Sequence, residues 1–183
     1  MKFILISHTT TDWCLVGRLK GQTDRELTKP GRTEALKLAS KLKNLGISKI
    51  VSSDLKRASQ TAEIINTQLK VPITSDALLR ECSFGSLEGM TKEEAVAKYG
   101  PMIIKDWDDQ CESYDFKRFG GEDREEVLKH HLKLLKKYSG SNLKETAILL
   151  VGHERGLDTL LAGLGHKLLM APGEYRIIDF TGQ

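Results

Sequence analysis

Two short apolar runs constrain the fold of this chain most, because each stops abruptly at a small residue that a histidine follows. The first is FILIS at residues 3–7, followed by His8, and the second is AILLVG at residues 147–152, followed by His153. Apolar runs of this length are typical of strands buried on both faces, as in parallel sheets. The carboxyl ends of parallel strands share one edge of a sheet, so we expect His8 and His153 to lie together there.

The rest of the chain alternates short strands with amphipathic helices. Apolar residues recur at helical spacing over residues 31–46 and 54–69, and the short strand SKIVSS lies between them. A long helix is predicted over residues 122–140 and a closing strand over residues 175–181. This alternation predicts a three-layer α/β/α sandwich with a mostly parallel central sheet, and the length suits a single domain over residues 1–183.

Composition and charge argue against several classes of function. The formal net charge is +3, with basic and acidic residues interspersed, which argues against nucleic-acid binding. No stretch approaches the roughly 20 apolar residues of a membrane-spanning helix, and MKFILIS is interpreted as a first strand rather than a signal peptide. Cys14, Cys82 and Cys111 show no metal-ligand spacing, which predicts free thiols in a cytoplasmic protein without metal or cofactor. The oligomeric state stays open, with a dimer as one option.

The two strand-end histidines fit a phosphoryl-transfer site better than two unrelated structural histidines. A neutral imidazole is a nucleophile toward phosphorus, and a second imidazole can stabilise the charge of the transferred group. Arg57, at the start of a helix, offers a planar fork of donors for phosphate. Glu81 and Glu88, in a glycine-containing loop, are candidate acids for the leaving oxygen. Each residue taken alone also has an ordinary explanation, as a packed histidine or a solvated charge.

The order of motifs along the chain resembles that of the histidine phosphatase superfamily, which contains the cofactor-dependent phosphoglycerate mutases and many small phosphatases. The matching segments are ILISH, GRLKGQTDRELTKPG, VSSDLKRASQTAEII, LLRECSFGSLEGMT, FGGE and LLVGH. The resemblance implies a phosphoglycerate mutase-like α/β fold, a phosphorylated small molecule as substrate, and no metal. It also implies His8 as the phosphorylated nucleophile and Glu81 as the general acid. Arg57 would bind the phosphate, and His153 would be the second histidine of the catalytic pocket.

The motif around the nucleophile departs from the family pattern. The family signature is Arg-His-Gly, whereas this chain has Ser7, His8 and Thr9, so the arginine that binds phosphate in relatives is replaced by serine. Losing a hydrogen bond to a charged group costs roughly 1.5–3 kcal/mol, which corresponds to roughly one to two powers of ten in rate. The candidate replacements are Ser7, Thr9 and Arg18 as phosphate ligands and Lys20 and Arg155 as substrate contacts.

Three functions remain open on this basis. The first is hydrolysis of a small phosphorylated metabolite through a phosphohistidine on His8, with activity reduced by the missing arginine. The second is a phosphoglycerate mutase, against which the short separation of Glu81 and His153 argues, since the mutases carry longer insertions there. The third is a degenerate member of the family that binds a phosphorylated ligand with little turnover.

Overall fold

A five-stranded sheet forms the centre of the computed structural model, which describes residues 1–140, 146–166, 170 and 173–181. The strands are β1 (Lys2–Ser7), β2 (Ile47–Ser52), β3 (Ile73–Ser75), β4 (Ala147–Gly152) and β5 (Arg176–Asp179), in the spatial order β3-β2-β4-β1-β5. β1, β2, β3 and β4 run parallel to their neighbours, whereas β5 pairs antiparallel with β1. The sheet is therefore mostly parallel, as the sequence predicts.

Helices cover both faces of this sheet. The described residues contain the α-helices α1 (Asp12–Leu15), α2 (Lys29–Leu42), α3 (Lys56–Leu69), α4 (Lys92–Tyr99), α5 (Ile103–Asp108), α6 (Arg124–Ser139) and α7 (Glu154–Gly163). Apolar residues of α2 and α3 pack on Ile4 and Ile6 at one face. Apolar residues of α6 and α7 pack on Phe3 and Leu5 at the other. Alternate residues of β1 thus serve opposite layers, and the predicted α/β/α sandwich is confirmed.

A third apolar cluster lies outside these two layers, in the segment between β3 and α6. Phe84, Tyr114 and Phe116 form its centre, with Phe84 and Phe116 packed edge to face at 4.9 Å between ring centroids. Ala95 of α4 and Ile103 of α5 are buried in the same cluster. These contacts hold in place a long segment that contributes no strand to the sheet.

Two kinds of feature are absent from the described part of the chain. No helix there is long and apolar enough to cross a membrane. No group of three or more His, Cys, Asp or Glu residues is placed there to hold a metal ion. Cys14, Cys82 and Cys111 are free thiols, of which Cys14 is exposed and the other two are buried.

Candidate active site

His8 and His153 lie side by side at the carboxyl edge of the sheet. β1 and β4 are parallel neighbours with Ser7 opposite Gly152, so each histidine directly follows its strand. The backbone N–H of His8 donates to the Gly152 carbonyl oxygen at 3.0 Å, which extends the ladder by one residue. The two ring centroids are 5.3 Å apart. The structure therefore brings together the two histidines that the sequence pattern singles out.

The hydrogen bonding of His8 decides which ring nitrogen can react. Its Nδ1 lies 2.7 Å from the backbone carbonyl oxygen of Thr9. A carbonyl oxygen can only accept, so Nδ1 carries the proton and Nε2 keeps its lone pair. Burial, followed by the positive charge of Arg57, holds the pKa of His8 well below its usual value. His8 is therefore neutral near pH 7, with Nε2 available as a nucleophile.

His153 is completely buried at the carboxyl end of β4. Neither ring nitrogen has a partner within the part of the chain that the structure describes. Burial, followed by the charge of Arg57, lowers the pKa of His153 well below its usual value. Buried polar groups are nearly always hydrogen-bonded in folded proteins. An unsatisfied neutral imidazole beside His8 therefore points to a polar ligand at this position.

Arg57 brings a buried positive charge to the histidine pair. It lies in the first turn of α3, and its guanidinium donates to the carbonyl oxygens of Thr23 at 3.0 Å and Gly21 at 2.5 Å. Its Nε has no hydrogen-bond partner among the described residues, and the guanidinium forms no ion pair with their carboxylates. A buried cation that is not paired with a carboxylate is costly, so the position favours a bound anion.

Glu81 joins the start of α7 to the site. Its Oε1 accepts the backbone N–H of Cys82 at 3.0 Å and that of Gly156, in the first turn of α7, at 2.9 Å. The side chain is 6% exposed and lines the same cavity as His8. Because both hydrogen bonds fall on Oε1, Oε2 is left to carry and transfer a proton.

The cavity at this edge encloses about 270 Å³. Its lining includes Ser7, His8, Thr9, Cys14, Lys20, Glu81 and Glu154. The hydroxyl of Thr9 lies 3.4 Å from that of Thr61 and its N–H donates to the same oxygen, so Thr9 already has a protein partner. Ser7 forms no side-chain hydrogen bond within the described ranges, which leaves its hydroxyl available to a ligand.

Lys20 is the cation that the loop after β1 supplies to the cavity. It is half-buried, and its charge contributes to the lowered pKa values of His8 and His153. No hydrogen bond or ion pair ties its ammonium group to another described residue. Lys20 is therefore placed to bind an anion close to both imidazoles.

Arg18 has a different environment from the one that the sequence suggests. Its guanidinium pairs with Glu94 at 2.6 Å and donates to the Gly89 carbonyl oxygen at 2.5 Å. It lines a neighbouring cleft and is not among the residues that line the cavity of His8. The expectation that Arg18 binds the phosphate gains no support from this position, because its donors are already engaged by a carboxylate.

Arg155 likewise has a structural set of partners. It is 5% exposed, and its guanidinium donates to the backbone carbonyls of Asp106, Trp107 and Asp109 at the end of α5. The same group lies over the three aromatic rings at the centre of the third apolar cluster, about 5 Å from each centroid. Arg155 therefore joins α5 to α7, and its donors are engaged by backbone carbonyls rather than left free for a substrate.

Glu88, a candidate acid on the sequence alone, has a structural role that sequence reasoning missed. Its carboxylate accepts the backbone N–H groups of Gln22 at 3.0 Å and Thr23 at 2.8 Å. These bonds hold the loop whose carbonyls, at Gly21 and Thr23, bind Arg57. Gly21 has a φ of +51°, and a Cβ there would lie 2.1 Å from the Glu88 carboxylate. The available sequence signal for this close approach was Gly21, a glycine within a long polar loop.

Two further carboxylates organise the surroundings of the site. Asp24 accepts the N–H of Lys56 at 2.7 Å and so stabilises the start of α3, where no side-chain cap comes from the helix itself. Glu34 accepts both the N–H and the hydroxyl of Thr10, at 3.1 and 2.8 Å. Each contact joins residues more than 20 positions apart, so local sequence patterns carry no sign of it.

The sequence profile of the histidine phosphatase superfamily, branch 1, matches residues 3–180. Because the match covers nearly the whole chain, the protein belongs to this superfamily, and the resemblance drawn from its motifs is confirmed. Members of the superfamily act on phosphorylated small molecules and include phosphatases and mutases.

Particular relatives fall into both groups. The chain is 38% identical over 104 residues to a probable phosphoglycerate mutase of Proteus mirabilis, covering 54% of this chain and 48% of that protein. It thus spans about half the length of the curated relatives it matches. The structure superposes on a mycobacterial glucosyl-3-phosphoglycerate phosphatase bound to VO3 with a TM-score of 0.86 and 25% identity, covering 97% and 92% of the two chains. Bacillus stearothermophilus YhfR matches with a TM-score of 0.80, 26% identity and coverage of 99% and 92%.

Proposed function

We propose that this protein hydrolyses the phosphomonoester of a small molecule through a phosphohistidine on His8. The observation that carries the proposal is the pairing of a neutral His8 with a buried, unpartnered His153, both within electrostatic reach of Arg57. Glu81 lines the same cavity as His8 and supplies a group for proton transfer. Phosphoryl transfer depends mainly on such positioning and charge stabilisation.

In the first step, Nε2 of His8 attacks phosphorus, so that a P–N bond forms while the ester P–O bond breaks. Protonated Glu81 gives the proton on Oε2 to the leaving oxygen, and the alcohol departs neutral. In the second step, the Glu81 carboxylate takes a proton from water as the water oxygen attacks phosphorus. The P–N bond breaks, its electron pair returns to Nε2, and inorganic phosphate is released.

The charge of the transferred group is stabilised from several directions. Arg57 supplies a buried guanidinium, and the start of α7 beside Glu81 adds the positive end of a helix. His153 offers a ring nitrogen to a phosphoryl oxygen. In place of the motif arginine, Lys20 supplies the cation and the Ser7 hydroxyl one donor; Thr9 contributes less, since Thr61 already engages it.

Two other functions have an observation in their favour. The curated relatives are described as probable phosphoglycerate mutases, which favours transfer between substrates. Serine at position 7, together with backbone carbonyls on both Nη atoms of Arg57, favours a phosphate-binding protein with little turnover. A cavity that admits water favours hydrolysis over transfer.

A screen of phosphate release from varied phosphomonoesters tests the proposal, with the interconversion of 2- and 3-phosphoglycerate measured in parallel. His8→Ala is the test variant, and His130→Ala, on the exposed side of α6, is the matched control. We expect release by the wild type and the control and a loss of more than about 10⁴-fold in His8→Ala. Activity that persists in His8→Ala contradicts the mechanism. Stabilisation by millimolar phosphate without any turnover identifies the binding protein instead.

A further inference from the structure

A second cleft, of about 270 Å³, opens beside the phosphate cavity. Trp13, Phe84 and Trp107 form its aromatic lining. Four residues line both spaces, namely Cys14, Lys20, Glu81 and Glu154. The cavity and the cleft are therefore contiguous at these side chains, so one molecule can occupy both.

The position of Glu81 at this junction determines what enters the cleft. Under the proposed function, Glu81 protonates the oxygen that links phosphorus to the alcohol, so this oxygen lies within hydrogen-bond reach of its carboxyl group. With the phosphoryl group at His8, the alcohol part extends past Glu81 into the cleft that Trp13 and Trp107 line. The cleft is smaller than the ~300–1,000 Å³ usual for drug-sized ligands, so it suits an alcohol of about one sugar ring or less.

Most charged groups of the cleft already have partners. Arg18 pairs with Glu94 at 2.6 Å, and Asp108 pairs with Lys92 at 2.6 Å. Arg155 is engaged by backbone carbonyls. These groups therefore add little to the recognition of a ligand charge.

Apart from Glu81, which the proposed mechanism already uses, Glu154 and Lys20 remain, and neither forms an ion pair within the described ranges. The charge of Lys20 acts on both His8 and His153, which places it near the phosphoryl position. Glu154, the first residue of α7, lines the cleft, and its pKa is raised by burial and then by the neighbouring Glu81. Once a phosphoryl group engages Lys20, the alcohol part meets an unpaired carboxyl group.

We infer that the cleft selects an uncharged alcohol bearing hydroxyl groups, a polyol or a sugar, and that Glu154 is the residue that determines this specificity. A hydroxyl of the alcohol donates to the Glu154 carboxylate, whereas a carboxylate at the same place meets like charge. The indole rings of Trp13 and Trp107 pack against the apolar face of the alcohol. The inference rests on the proposed function and names its substrate class.

Two esters make a matched pair for the test, since sn-glycerol 1-phosphate and 3-phospho-D-glycerate share the configuration at C2 and differ only by a hydroxymethyl group in place of a carboxylate. We expect the wild type to prefer the glycerol ester by at least about tenfold in kcat/KM. Glu154→Gln keeps an acceptor oxygen but removes the charge, and should bring the ratio to within about threefold of one. Asp108→Asn makes the same charge change on a carboxylate that Lys92 already neutralises, and the ratio should stay near that of the wild type.

The preference is also measured as a ratio of Kd values in the His8→Ala protein, which binds the esters without turnover. If the protein prefers the glycerol ester in binding but the wild type does not hydrolyse it, the inference about specificity is supported and only the proposed hydrolysis is contradicted. Equal or better use of 3-phosphoglycerate by the wild type overturns the inference while hydrolysis stands. The inference is also overturned if the preference for the glycerol ester survives Glu154→Gln, or if Asp108→Asn abolishes it to the same extent.

Discussion

The phosphate cavity and the neighbouring cleft are built in opposite ways. The cavity lies where two parallel strands end, and the ladder between β1 and β4 fixes the backbone that carries both imidazoles. The cleft is assembled from loops, the short helices α1 and α5, and the start of α7, and Arg155 holds α5 in place through backbone carbonyls. The backbone hydrogen bonds of a strand position each residue regardless of its side chain, whereas a loop is positioned by the contacts that its own side chains and backbone make. The sequence pattern therefore predicts the chemistry of the cavity, while that of the cleft requires the structure.

The largest effect that separates the two regions is expected from Glu81→Gln, at their junction. The glutamine amide oxygen still accepts the N–H groups of Cys82 and Gly156, so the fold is kept, but no proton can be delivered. For an alkyl phosphate, kcat/KM, which reports on the first step, should fall by about 10²–10⁴-fold. For p-nitrophenyl phosphate the fall in kcat/KM should be much smaller, because that leaving group needs no proton. Steady-state kinetics on both esters decide this, and equal losses would argue against Glu81 as the general acid.

Ser7→Arg tests whether the cavity simply lacks its motif arginine. A guanidinium at position 7 would form charge-assisted hydrogen bonds to phosphoryl oxygens, and hydrolysis of p-nitrophenyl phosphate should rise by about tenfold to hundredfold. Lys20→Met, made in the wild type and in Ser7→Arg, shows whether Lys20 has taken over the role, since its loss should matter much less once an arginine is present. A folded Ser7→Arg protein with unchanged or lower activity contradicts the missing-arginine account.

Arg155→Met and Arg18→Met compare two arginines of the cleft by their effect on stability. Arg155→Met leaves three carbonyls at the end of α5 without their donor, and should lower the free energy of unfolding by about 2–4 kcal/mol. Arg18→Met removes an exposed ion pair and should leave the urea midpoint almost unchanged. Urea unfolding curves measure both. Similar midpoints for the two variants would show that Arg155 does not fasten α5.

His131 lies on α6, outside the lining of the cavity and the cleft, and its contribution to stability depends on pH. Burial lowers its pKa from 6.5 to about 4, so the unfolded state takes up a proton at higher pH than the folded state does. The neutral ring therefore contributes stability above pH 6.5, and this contribution, about 3 kcal/mol, is lost as the pH falls from 6.5 towards 4.

We expect His131→Leu to flatten the dependence of the free energy of unfolding on pH between 6.5 and 4. His8 and His153 have lowered pKa values of the same sign, so the slope should fall rather than vanish. His130→Ala, on the exposed side of the same helix, is the control; it removes the smallest contribution to the pKa of His131 and should change the slope much less. An unaltered slope in His131→Leu would contradict the burial of a neutral histidine.

The sequence predicts the sheet, its helical layers and the meeting of the two histidines, because each follows from periodicity and from the geometry of parallel strands. It does not predict the partners of Arg18 and Arg155. A basic residue near a motif looks the same in the sequence whether it binds phosphate or forms contacts within the protein. The structural roles of Glu88 and Asp24 are also not predicted, because each carboxylate accepts hydrogen bonds from backbone groups far away in the sequence. The sequence therefore does not show which charged side chains already have partners in the fold and which are available to a ligand.

The central claim is that His8 carries the phosphoryl group during turnover, and direct trapping of that intermediate tests it. Glu81→Gln slows both the formation and the hydrolysis of the intermediate, so the wild type and this variant are compared. Each is incubated with a ³²P-labelled phosphomonoester, quenched in alkali and digested. The account predicts a label that is stable in alkali and labile in acid, located by mass spectrometry on the peptide that contains His8 and absent from His8→Ala. A label on another residue, or turnover in His8→Ala, would contradict the claim.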